Sequence, residues 1–106
     1  MIRILLLMLL PFMMIAQKQA VIHITTDNYP TETYWTLFAD SLYGDTICNV
    51  LDGHYTSPYT TYTDTCYIDD TIANITFLIR DTYGDGMNGS YYVTVCGDTI
   101  VNYPNP

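Results

Sequence analysis

The sequence predicts an all-β fold: a small antiparallel β-sandwich of jelly-roll-like type, preceded by a signal peptide. Three observations carry this. Thr, Tyr, Ile and Val dominate the chain after residue 16 and suit a pleated, half-buried surface. Apolar residues recur with period two in several short runs, the signature of strands with one face inward. Turn signals separate those runs at short spacing, and no apolar i, i+3, i+4 stripe supports a helix.

Taken in order, the chain opens with Arg3, an apolar run from Ile4 to Leu10, then Pro11-Phe-Met-Met-Ile-Ala16. A basic start, an apolar core and a small residue before Gln17 form the pattern of a secretory signal cleaved after Ala16. The run is short for a membrane span and no cysteine follows it, so neither membrane insertion after cleavage nor a lipid anchor is expected. Strands are expected over Val21–Thr25, around Trp35, Leu37 and Ala39, and over Thr46–Leu51 and Thr65–Ile68. Ile75–Ile79, Tyr91–Val95 and Thr99–Asn102 complete the set. The breaks fall at Asn28-Tyr-Pro30, Tyr43-Gly-Asp45, Asp52-Gly53, Ser57-Pro58, Asp69-Asp70 and Cys96-Gly-Asp98. The layout is thus a signal over 1–16, a sandwich over 17–102 and a short tail over 103–106.

After cleavage Lys18 and Arg80 stand against ten aspartates and Glu32, a net charge of −9. A chain with so little positive charge cannot neutralise phosphates, which excludes nucleic acid and anionic membrane surfaces as partners. Cys48, Cys66 and Cys96 sit in an exported chain, where one disulfide and one free thiol are expected. Three pairings are open, and Cys66–Cys96 is favoured; a loop of that size adds roughly 3–4 kcal/mol when closed without strain.

Two stretches could carry chemistry. In Asp81-Thr-Tyr-Gly-Asp-Gly-Met-Asn-Gly-Ser-Tyr91, glycines permit a sharp turn that aims Asp81, Asp85 and Asn88 at a common point. Such an oxygen-only cage suits Ca²⁺, and Asp27 and Glu32 would join it if the sandwich brings its first and last loops together. The alternative is that these acids cap turns through Asx-type bonds. The second stretch is His54–Thr63, where Tyr55, Tyr59 and Tyr62 lie among threonines. Rings beside hydroxyls can stack on a sugar, or they can fold down onto the sandwich. Trp35 and Tyr91 share strand parity with aliphatic residues and read as core. No nucleophile–base constellation is present, and Asp81 and Asp85 share one turn, where a glycosidase needs its acids on opposite sides of a cleft. No enzyme is expected.

The segments Thr26-Asp-Asn-Tyr-Pro-Thr-Glu-Thr-Tyr-Trp35 and Ile79-Arg-Asp-Thr-Tyr-Gly-Asp-Gly-Met-Asn-Gly-Ser-Tyr91 resemble, in order, the opening and closing motifs of an accessory module of secreted Bacteroidetes proteins. The likeness covers roughly residues 21–101. It implies a non-catalytic β-sandwich, found beside peptidases or in large surface proteins. That module often carries cysteines after the second loop glycine, where Met87 and Asn88 stand here, so no disulfide pattern transfers. Tyr103-Pro-Asn-Pro106 is similar to the start of the C-terminal sorting domain of type IX secretion. Asp40-Ser-Leu42, Asp45-Thr-Ile47, Asp70-Thr-Ile72 and Asp98-Thr-Ile100 resemble O-glycosylation acceptors of the same bacteria, and each also reads as a turn acid entering a strand.

The expectation is a protein exported through the periplasm, secreted or held at the cell surface. It would be a calcium-stabilised binding or adhesion module for a glycan or a surface protein. The alternative is a structural spacer accessory to a secreted peptidase or surface protein.

Overall fold

The computed structural model describes residues 17–84 and 88–103; the expected export signal, Asp85 and the last three residues lie outside them. Seven strands are present among the described residues: β1 (Gln17–Thr25), β2 (Thr33–Ala39), β3 (Thr46–Val50), β4 (Thr61–Asp69), β5 (Ile75–Asp81), β6 (Ser90–Val95) and β7 (Asp98–Tyr103). Every pairing is antiparallel. They form a four-stranded sheet in the order β4-β1-β6-β7 and a three-stranded sheet in the order β3-β2-β5. A full jelly roll has eight strands. Among the described residues the one helical element is a 3-10 turn at Pro30–Glu32, with proline at its start.

Alternation sets which side chains meet. In β1, Ala20, Ile22 and Ile24 are fully buried while His23 and Thr25 turn outward; in β2, Trp35 and Leu37 are buried with them. A slip of one residue would exchange those faces, so the pattern itself pins the register. Four fully buried aliphatic side chains, Ile22, Ile24, Leu37 and Val93, contribute on the order of 10 kcal/mol before chain entropy is counted. That exceeds what one disulfide supplies, so the core is the main source of stability.

β4 begins four residues before the run expected from the sequence. Thr61, Thr63 and Thr65 point outward while Tyr62, Asp64 and Cys66 point toward the other sheet. The segment pairs with β1 from Thr25↔Thr61 onward, and the hydroxyls of Thr25 and Thr61 lie 2.9 Å apart. A polar, threonine-rich sequence is a strand here because β1 supplies its ladder.

The disulfide joins Cys48 on β3 to Cys66 on β4, with Cα atoms 6.3 Å apart, and Cys96 is an exposed free cysteine. This corrects the expected Cys66–Cys96 bridge. Ala20 of β1 pairs with Cys66 on one side and with Val95 on the other. Cys66 therefore lies two strand spacings from the β6 end that carries Cys96, roughly 10 Å and beyond disulfide reach. Cys48 instead faces Cys66 across the sandwich and ties the edges of the two sheets together.

Candidate functional site

The opening and closing motifs meet at one end of the sandwich. Asp27, buried to 8% exposure, is the hub. Its Oδ1 accepts the Tyr29 N–H at 2.8 Å, its Oδ2 accepts the Asn88 N–H at 3.0 Å, and its carbonyl accepts the Tyr59 N–H at 3.2 Å. One residue thus holds three separate loops. Its neighbour Thr26, also buried, fastens the Ser57–Thr60 turn. The Thr26 N–H donates to the Thr60 carbonyl at 2.9 Å, and its hydroxyl donates to the Ser57 carbonyl at 2.7 Å and accepts the Thr60 N–H at 3.0 Å.

Between these loops lies an open cleft of about 340 Å³, bordered by Thr25, Asn28, Tyr29, Tyr59, Asn88 and Ser90. Tyr29 is 59% and Tyr59 72% exposed. Tyr59 adopts φ +51°, a left-handed backbone that a bulky residue takes only where its surroundings enforce it. The bonds from Thr26 and Asp27 are that enforcement.

Of the three tyrosines expected to stack on a ligand, only Tyr59 lies at the surface of the cleft. Tyr55 is wholly buried, which corrects its assignment as a ligand-binding residue. Its hydroxyl accepts the Trp35 Nε1–H at 2.8 Å and donates to Asp64 Oδ2 at 2.9 Å. Burial, reinforced by the bond and charge of Asp64, pushes the Tyr55 phenol well above its ordinary range, against the smaller opposing effect of Trp35. Tyr62 is half-buried, its ring 4.5 Å from that of Tyr55, and its hydroxyl accepts the Ser57 N–H at 3.0 Å. The Ser57 contacts hold the Tyr62 phenol below its usual range. Tyr62 is thus a strut beneath the turn that presents Tyr59.

The four expected cation ligands that lie within the described residues divide between two places. Asp27 meets the main chain of Asn88 at the cleft. Glu32 and Asp81 lie at a second junction, where the Glu32 carbonyl accepts the Thr82 N–H at 2.9 Å and the Thr82 hydroxyl donates to Asp52 Oδ1 at 2.7 Å. Asp85 lies outside the described residues. Among the described residues no group of three or more His, Cys, Asp or Glu side chains is placed to hold a metal ion.

The sequence signal for Tyr29 was its place in a turn between Asn28 and Pro30; what it lacked was any sign that Tyr59, thirty residues on, shares the same cleft. Asp64 and Thr26 were legible only as polar residues, because their partners come from distant segments. No protein-family model, no curated protein and no solved structure matches the chain. The functional reading rests on the chemistry of the residues themselves.

Proposed function

We propose that this domain is a secreted, non-catalytic binding or adhesion module, and that its ligand, a glycan or a sugar-bearing surface protein, seats in the Asp27 cleft against Tyr29 and Tyr59. The observation that carries this is two exposed rings whose backbones are both fastened to one buried residue, Tyr29 to the Asp27 carboxylate and Tyr59 to the Asp27 carbonyl. Rings held in place before binding lose little freedom when a ligand arrives, and the C–H faces of a sugar suit their flat surfaces. Asn28, Asn88 and Ser90 border the cleft and supply groups for hydroxyls. Catalysis is not part of the proposal: among the described residues the one carboxylate in the cleft lining is that of Asp27, which already accepts two N–H bonds. The Cys48–Cys66 bridge suits an oxidising compartment, which supports export.

Tyr59→Ala and Tyr29→Ala, screened on a glycan array and titrated against whatever the parent retains, test the proposal. Loss of one ring should weaken binding at least tenfold, about 1.4 kcal/mol, with melting within about 2 °C of the parent. Equal binding by parent and both variants would overturn it. A parent that binds no glycan and no surface protein would favour a structural spacer, for which the loop-to-loop bonds of Thr26, Asp27 and Thr82 give the physical basis.

A further inference from the structure

The two sheets differ in width, and the difference falls on one side. The Cys48–Cys66 bridge sets β3 opposite β4. Phe77 and Tyr91, with ring centroids 6.0 Å apart, set β5 opposite β6. Trp35 and Leu37 share the core with Ile22 and Ile24, which sets β2 opposite β1. β7, outermost in the wider sheet, has no described strand across from it.

In that position lies an open groove of about 570 Å³, lined by Ile75, Phe77 and Ile79 of β5, Tyr91 of β6, Val101 of β7 and, at one end, Lys18. The inward residues of β5 are only half-buried, whereas Trp35 and Leu37 on the adjacent strand are fully buried. The deficit is apolar and runs the length of the strand.

The edge of β5 is also the one least defended against pairing. Exposed edges are normally protected by brevity, charge, proline or bulges. β3 is five residues long, β4 carries Asp64 and Asp69, and β7 pairs with β6 through a register shift. β5 pairs with β2 in unbroken register, and from Ile75 to Ile79 it has no charge, proline or glycine. Lys18, the only lysine in the described residues, stands at the end of the groove beside the start of β5, whereas Arg80 turns to the outer face of β5 and donates to the Tyr43 hydroxyl at 2.7 Å.

We propose that the flank between β5 and β7 is a strand-acceptor groove. One extended segment of another polypeptide, apolar at alternate positions and acidic at the end that meets Lys18, adds antiparallel to the edge of β5 and lays its inner side chains over β7. Backbone bonds to β5 hold it, the groove selects its apolar residues, and Lys18 selects its carboxylate. A single strand fits where a second copy of the sandwich does not. β7 projects beyond β5, so two copies joined edge to edge through β5 would drive their wider sheets into each other. This site is separate from the Asp27 cleft.

The test uses the purified secreted protein and a synthetic nine-residue peptide with isoleucine or valine alternating with threonine and a glutamate at its C-terminal end, the end that an antiparallel strand places beside Lys18. Titration calorimetry should give one peptide per protein, and hydrogen exchange should slow at Ile75–Asp81. Replacing that glutamate by lysine, or methylating the peptide's β5-facing amides, should weaken binding at least tenfold; so should Val101→Glu in a protein that still melts cooperatively. The peptide variants need no altered protein, so a misfolded V101E does not decide the matter. Absence of binding overturns the proposal, as does binding that protects the Asp27 cleft instead of β5. Protection of β5 without peptide also overturns it, because a second copy or the chain's own termini then occupy the groove.

Discussion

Removing one oxygen atom, by Tyr55→Phe, tests the account of the core most directly. The ring stays and no cavity of ring size opens, but the Trp35 N–H loses its acceptor and Asp64 loses a donor. A buried donor left without a partner costs about 1–3 kcal/mol. The bond to charged Asp64 adds less than its full value, because Asp64 is half-exposed and water replaces part of what is lost. The expected loss is about 2–3 kcal/mol, which lowers the melting temperature of a domain this size by roughly 10–20 °C. Trp35 is the only tryptophan, so its near-ultraviolet circular dichroism and fluorescence report the affected site itself. The same variant carries a pH signature. The folded phenol is raised above its ordinary value of 10.0, so its contribution is fully present below that pH. As pH climbs toward the folded value, the unfolded chain releases the proton first and stability falls. Tyr55→Phe should flatten that alkaline decline, leaving the smaller part due to Tyr91, whose phenol burial also raises. A variant melting within about 2 °C of the parent, with an unchanged alkaline slope, would refute the reasoning.

Two further predictions concern the covalent and ionic cross-links. Replacing Cys48 and Cys66 by alanine should cost about 3 kcal/mol, from the separation of 18 residues that the bridge closes, while Cys96→Ser leaves the melt unchanged. Alkylation of the native protein followed by peptide mass mapping should mark Cys96 alone; labelling of Cys48 or Cys66 contradicts the pairing. A Ca²⁺ ion held by the carboxylates expected from the sequence would, at 100 times its dissociation constant, stabilise the fold by roughly 2.7 kcal/mol. The structure separates Asp27 from Glu32 and Asp81, and identical melting in calcium and in EDTA ends that expectation.

The positions of all seven strands were legible in the sequence, because a strand buried on one face writes its period of two directly into residues such as Ile22 and Ile24 or Val93 and Val95. The starts of β1 and β4 were not: residues 17–20 and 61–64 lie outside the expected runs and become strand because β1 and β4 pair along their whole length. Which of the His54–Thr63 tyrosines folds down onto the sandwich was equally hidden. Tyr55 and Tyr59 have similar neighbours in sequence, yet one bonds Trp35 and Asp64 in the core and the other stands at the surface.

The amino-acid sequence alone determined the fold class, the strand positions, the acidic balance and the two motifs, since each depends on local chemistry and spacing. Tertiary structure alone decided that Cys48 rather than Cys96 reaches Cys66, that Asp27 gathers Tyr29, Tyr59 and Asn88, and that no described strand lies opposite β7. Those facts depend on which strand lies beside or across from which. Sheet order is set by the packing of the whole chain, and no short window of sequence contains it.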